Sequence, residues 1–127
     1  LTLADDADAE LDWSGMDDLS GWSAVGDWTG DGIDDFTVSS EGSHAGMIAL
    51  FESQIWSGSY DAEDEVQGSL LGATDLDGDG VDDGEAFGRG VPQRMGDLDG
   101  DGAEDLLVGD YALHSEQGGV FLFHNTL

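Results

Sequence analysis

Three nine-residue stretches hold the most specific chemistry in this sequence: Asp27 to Asp35, Asp75 to Asp83 and Asp97 to Asp105. Each reads Asp-x-(Asp/Thr)-Gly-Asp-Gly-x-x-Asp. Positions 1, 3 and 5 offer side-chain oxygens, position 7 offers a backbone carbonyl, and position 9 closes the loop with a carboxylate. Glycine at position 6 permits a sharp turn, because it tolerates positive φ. This arrangement suits a hard cation that takes roughly six to eight oxygen ligands at ~2.3–2.6 Å. Ca²⁺ is the expected ion, at three sites. Mg²⁺ fits less well, since it prefers octahedral sites that retain waters.

The ligand sets follow residue by residue. The third loop offers Asp97, Asp99, Asp101, the Ala103 carbonyl and Asp105, with Gly102 at the turn. The second offers Asp75, Asp77, Asp79, the Val81 carbonyl and Asp83, with Gly80. The first offers Asp27, Thr29, Asp31, the Ile33 carbonyl and Asp35, with Gly32. Thr29 is neutral where the other loops carry carboxylates, so the first loop is expected to bind more weakly. Asp34, Asp82 and Glu104, at position 8, are expected to point outward. An EF-hand is disfavoured: position 12 is Val38, Ala86 or Val108 rather than a bidentate Glu. A dockerin-like pair is disfavoured too, because Gly84 to Met95 holds three Gly and a Pro, which no stable helix carries.

Other reactive side chains say little. His44, His114 and His124 are the histidines; His44 and His114 occupy equivalent loop positions, where a paired role is conceivable but a surface-loop role is the expected one. Paired carboxylates occur throughout, so their proximity says nothing of glycosidase chemistry. The sequence has no Gly-x-Ser-x-Gly, no phosphate-binding glycine loop and no cysteine. No enzymatic activity is expected. Trp13, Trp22, Trp28 and Trp56 read as packing residues ahead of a sugar platform. Arg89 and Arg94 are expected to bridge nearby carboxylates.

Charge supports the metal reading. Thirty acidic residues face two basic ones, for a formal net charge of −28. Such self-repulsion destabilises a compact state unless something neutralises it. Three Ca²⁺ would bring the charge to about −22. Four Trp, five Phe and distinct apolar runs argue against disorder. The surface repels nucleic acid and anionic membranes, and no run approaches a membrane span. Without cysteine there are no disulfides, and calcium cross-links fit an extracellular, secreted or cell-surface setting. The chain starts at Leu1 without Met, and a processed or partial chain is expected.

The elements that must position these loops are short strands. Ser23 to Gly26, Phe36 to Ser40, Met47 to Phe51, Leu106 to Gly109 and Val120 to Phe123 are apolar or alternating runs bounded by Gly, Ser and Asp. They recur as a repeat. Gly26-Asp27 through Val38 aligns with Gly96-Asp97 through Val108, and Gly46 to Phe51 aligns with Gly119 to His124. Asp8 to Leu11 aligns with Glu63 to Val66, both read as acidic strands. The expected organisation is a single all-β domain over 1–127, with one unit at 1–60 and a second at 61–127. An inserted calcium loop at 69–86 lengthens the second unit.

Phe87-Gly88, then Gly96-Asp97-Leu98-Asp99-Gly100-Asp101-Gly102-Ala103-Glu104-Asp105-Leu106-Leu107-Val108-Gly109, resembles the FG-GAP repeat of integrin α-subunit β-propellers. Gly21-Trp22 and Gly26 to Val38 look like a second copy, with Trp in place of Phe. The likeness spans roughly residues 20–52 and 86–124. The Gly-Ala-Pro tripeptide is missing; Val38-Ser39-Ser40 and Val108-Gly109-Asp110 stand there. The inserted loop is similar to a thrombospondin type 3 calcium repeat. The resemblance implies antiparallel, four-stranded, propeller-type blades with calcium between the first two strands. Two units cannot close a ring, so other copies or other repeats must complete it. The ends, Leu1 to Leu11 and Val120 to Leu127, placed tail to head rebuild the internal junction. The expected role is a repeating subunit of a surface filament or array assembled head to tail. The alternatives are a fragment of an adhesin propeller that binds protein or glycan, and an accessory domain of a secreted hydrolase.

Overall fold

The computed structural model of the chain describes residues 7–13, 19–40, 46–72, 87, 89–111 and 117–125. Within them the regular elements are almost all strands. In order these are β1 (Ala9–Asp12), β2 (Leu19–Gly26), β3 (Asp35–Ser40), β4 (Met47–Phe51) and β5 (Gly58–Asp61). A single helical turn, α1 (Ala62–Glu65), follows. Then come β6 (Gly68–Leu71), β7 (Gln93–Gly96), β8 (Asp105–Asp110) and β9 (Gly119–Phe123). Two sheets are antiparallel: β2-β3-β4-β6 and β7-β8-β9. The third, β1-β5, is a parallel pair. No helix among the described residues is long and apolar enough to cross a membrane.

The strand runs expected from sequence all fall in this framework, and three expectations change. Glu63 to Glu65 lie in α1 rather than a strand. Asp61 caps that turn by accepting from the Glu63 N–H at 3.1 Å, which offers the backbone a local partner in place of a ladder. Ser69 to Leu71, expected at the start of the insertion, belong to the fourth strand of the first sheet, with Ile48 opposite Leu70. The repeat register also moves by one residue. Phe36 pairs with Phe51 and Leu106 pairs with Phe123, so Phe51 corresponds to Phe123, not to His124. A one-residue slip exchanges the faces of a strand, so this decides which side chains meet.

The corrected register makes the packing of the two sheets comparable. On β4, Ala49 and Phe51 face one way, onto Ala62 of α1, Leu11 of β1 and Trp13. Phe51 stacks on Phe36 at 5.1 Å and meets Trp13 edge-on at 5.7 Å. Ile48 faces the other way, clustering with Val108, Phe121 and Phe123 of the second sheet and with Phe87. At β4 the first sheet is therefore packed on both faces. The second sheet buries Leu106 and Val108 against it, while the opposite face carries exposed residues. Val120 is 63% exposed, whereas its repeat counterpart Ile48 is 2% exposed. Among the described residues β9 is also an edge strand, where its counterpart β4 carries β6. Of the tryptophans read as packing residues, Trp13 and Trp56 join the aromatic cluster around Phe36 and Phe51, but Trp22 lies 76% exposed on β2.

Candidate metal centre

The first and third acidic loops connect equivalent strands, β2 to β3 and β7 to β8. Each begins just after a glycine with positive φ and turns again at Gly32 (φ 90°) and Gly102 (φ 96°). A side chain at those turn positions would be strained, since the left-handed region is disfavoured once a Cβ is present. The two loops then share a set of hydrogen bonds, seventy residues apart. Asp27 accepts from the N–H groups of Gly30 (2.8 Å) and Gly32 (2.9 Å). Asp97 accepts from Gly100 (2.6 Å) and Gly102 (2.9 Å). Asp31 accepts from Ile33 at 2.7 Å, and Asp101 from Ala103 at 2.8 Å.

The closing carboxylates are buried. Asp35 Oδ2 accepts from Trp28 (3.0 Å) and Thr29 (2.9 Å), and its Oδ1 accepts from Ser53 at 2.9 Å. Asp105 Oδ2 accepts from Leu98 at 2.7 Å, and its Oδ1 accepts from Asn125 at 3.1 Å. Each closing Asp thus ties the start of its loop to the exit of the third strand of its sheet. Burial by itself raises the Asp105 pKa. The Leu98 and Asn125 N–H donors and the His124 imidazole outweigh that and hold the carboxyl below its ordinary value.

Position 8 divides. Asp34 is exposed as expected, at the 3.9 Å limit of an ion pair with Arg94. Glu104 does not point outward: its carboxylate pairs with the Arg94 guanidinium. It also lies where a Cβ on Gly26 would sit, so a side chain there would have to displace the Glu104 carboxylate. Arg94 therefore bridges carboxylates, as its surroundings in the sequence imply. Arg89 donates to the Tyr111 hydroxyl and lies 5.2 Å over its ring.

The structure brings several donors together. Asp97, Asp99 and Asp101 place one carboxylate oxygen each within 4.8 Å of the others. A second group of that size joins Asp99 and Asp105 to His124, whose Nδ1 is 3.5 Å from Asp99 and 3.4 Å from Asp105. His124 is the functional candidate that the sequence hides. Read in the corrected register, Glu52 and His124 follow Phe51 and Phe123, so each unit sets an ionisable residue beside its loop. At the first loop, Thr29 and Glu52 line one cleft, and the Thr29 hydroxyl is buried without a hydrogen-bond partner. Such an orphaned oxygen at position 3 fits a ligand role. The donor chemistry of both loops, carboxylate and hydroxyl oxygens, fits a hard cation. Ile33 and Ala103 lie at the turn exits, where their carbonyls would complete the sets. The Asp75 to Asp83 loop, His44 and His114 lie outside the described residues.

No protein family, no curated protein and no solved structure matches the chain.

Proposed function

We propose that this chain is an extracellular, calcium-stabilised structural module made of FG-GAP-like, propeller-type blades. One observation carries the reading: two loops seventy residues apart share the same Asp-to-backbone hydrogen bonds at positions 1, 5 and 9 and the same oxygen-donor positions, with Thr29 for Asp99 at position 3, and each is closed by a buried aspartate. Asp27, Thr29, Asp31, Ile33 and Asp35 would hold one ion. Asp97, Asp99, Asp101, Ala103 and Asp105 would hold another, and Asp75, Asp77, Asp79, Val81 and Asp83 a third. The ions would neutralise clustered carboxylates and cross-link strand ends, which disulfides cannot do in a chain without cysteine. The role is structural rather than catalytic.

The module stacks head to tail. The Ile48 face of the first sheet receives the second sheet, and the matching Val120 and Leu122 face receives another blade, from a further copy or further repeats. An interface between unlike faces continues from copy to copy unless it closes into a ring. This supports a subunit of a surface filament or array over an adhesin fragment or a hydrolase accessory domain. A transition metal at the 97–105 loop is the second reading, favoured there by the His124 nitrogen, which suits Zn²⁺ better than Ca²⁺.

Isothermal titration of the chelator-stripped chain tests the metal: heat with Ca²⁺ supports it, and no heat overturns it. Competition by Zn²⁺ that His124→Ala abolishes would favour the second reading. Size-exclusion and negative-stain imaging test the assembly. Calcium-dependent fibres that Val120→Lys disperses support the array, and a discrete monomer or ring supports the adhesin.

A further inference from the structure

We infer that the 27–35 and 97–105 loops take up their cations cooperatively, through Asn125. This rests on the reading of both loops as cation sites. Asn125 leaves β9 with its side chain 2% exposed. Its backbone N–H binds the closing carboxylate Asp105 of its own loop. Its side-chain Nδ2 donates across the sheet interface to the Trp28 carbonyl, at 2.8 Å, inside the other loop.

That carbonyl belongs to the Trp28–Thr29 peptide, whose own N–H donates to Asp35 at 2.9 Å. One peptide plane is thus held at both ends, by Asn125 on one side and by the closing carboxylate on the other. The same peptide carries Thr29, whose hydroxyl has no partner. An ion that orders Asp105 fixes Asn125, and Asn125 then sets the peptide that presents Thr29 to the first loop. Ordering already made by one ion need not be made again by the second, which is positive coupling. By linkage the effect is reciprocal. Arg94, between Glu104 and Asp34, braces the same two loops from their position-8 residues. The repeat has Ser53 where Asn125 stands, and its shorter hydroxyl side chain cannot reproduce the amide donor.

The sign separates this link from simple electrostatics. Filling one loop with a divalent cation repels a cation from the other, so charge alone makes the first loop tighter when the third is empty. The peptide link predicts the opposite.

Tb³⁺ in place of Ca²⁺ gives a readout specific to the first loop, because Trp28 sits at its position 2 while the third loop has Leu98. The full chain, stripped with chelator, is titrated with Tb³⁺, and indole-sensitised emission is followed. Trp28→Phe identifies the first-loop signal. Asp101→Asn weakens the third loop while leaving its exposed residue able to accept from Ala103. It is expected to weaken first-loop binding about fivefold or more. In an Asn125→Ser background the same change should shift first-loop affinity by less than about twofold. Unchanged or tighter first-loop binding in Asp101→Asn overturns the coupling, while a persisting shift in Asn125→Ser overturns the route through Asn125. If Trp28→Phe leaves no first-loop signal to remove, and Ca²⁺ titration gives no heat, the cation reading itself fails.

Discussion

Asp35 and Asp31 belong to one loop but should fail in different ways. Asp35 is buried and accepts three backbone N–H groups with its two oxygens. Asp35→Asn keeps one oxygen and turns an amide towards donors. At least one charge-assisted bond, about 1.5–3 kcal/mol, is lost, and a buried N–H is left facing no acceptor. The expected loss is about 2–4 kcal/mol with no metal present, a large share of the roughly 5–15 kcal/mol that stabilises a small domain. Asp31 is exposed and accepts one local bond, from Ile33, which the Asn oxygen keeps. Asp31→Asn should cost less than about 0.5 kcal/mol in chelator. Calcium reverses its innocence. An ion at about a hundred times its dissociation constant adds about 2.7 kcal/mol, and losing a carboxylate ligand removes much of that. Urea unfolding followed by tryptophan fluorescence, in chelator and in excess Ca²⁺, reads both terms. If Asp35→Asn costs under about 1 kcal/mol in chelator, the carboxylate does not hold the strand ends together. If Asp31→Asn is equally mild in both buffers, the first loop holds no ion.

Further outcomes follow from packing, backbone and pH. Phe51→Ala removes the ring sandwiched by Phe36 and Trp13 and should cost about 3–5 kcal/mol in the same unfolding assay. Gly102→Ala meets no steric neighbour but forces a Cβ onto φ 96°, so about 1–2 kcal/mol should be lost, while Gly68→Ala, equally open but without positive φ, should stay within about 0.5 kcal/mol. Asp105 has a lowered folded pKa, so its contribution is complete above the ordinary carboxylate range and is lost as pH falls through the lowered value. Asp105→Asn should therefore flatten the acid limb of a fluorescence-monitored stability profile, and an unchanged acid limb would show that the carboxylate does not drive it.

The acidic loops are legible in one dimension because their chemistry is local. Asp27 and Asp97 bind N–H groups no more than five residues away, so residue type and spacing decide the conformation. The strand runs are legible for a similar reason, since short apolar runs bounded by Gly and Asp are themselves the signal. The helical turn at Ala62–Glu65 is not, because a few acidic residues carry no periodicity and only the Asp61 cap favours it. The parallel pairing of β1 with β5 is hidden as well, since it joins segments separated by most of a repeat unit.

Composition and spacing thus specify the oxygen-rich turns, the repeat and the all-β character, all of which rest on neighbours along the chain. Which side chains stand beside those turns depends on ladder register and sheet stacking. Only the pairing of Leu106 with Phe123 puts His124 near Asp105 and Asn125 beneath it. Only the stacking of the two sheets brings Asn125 to Trp28, ninety-seven residues away. Those contacts are decided by long-range packing of apolar faces, whose strength depends on buried area and not on proximity in sequence. The same stacking leaves Val120 and Leu122 exposed, while Ile48, the repeat counterpart of Val120, is buried.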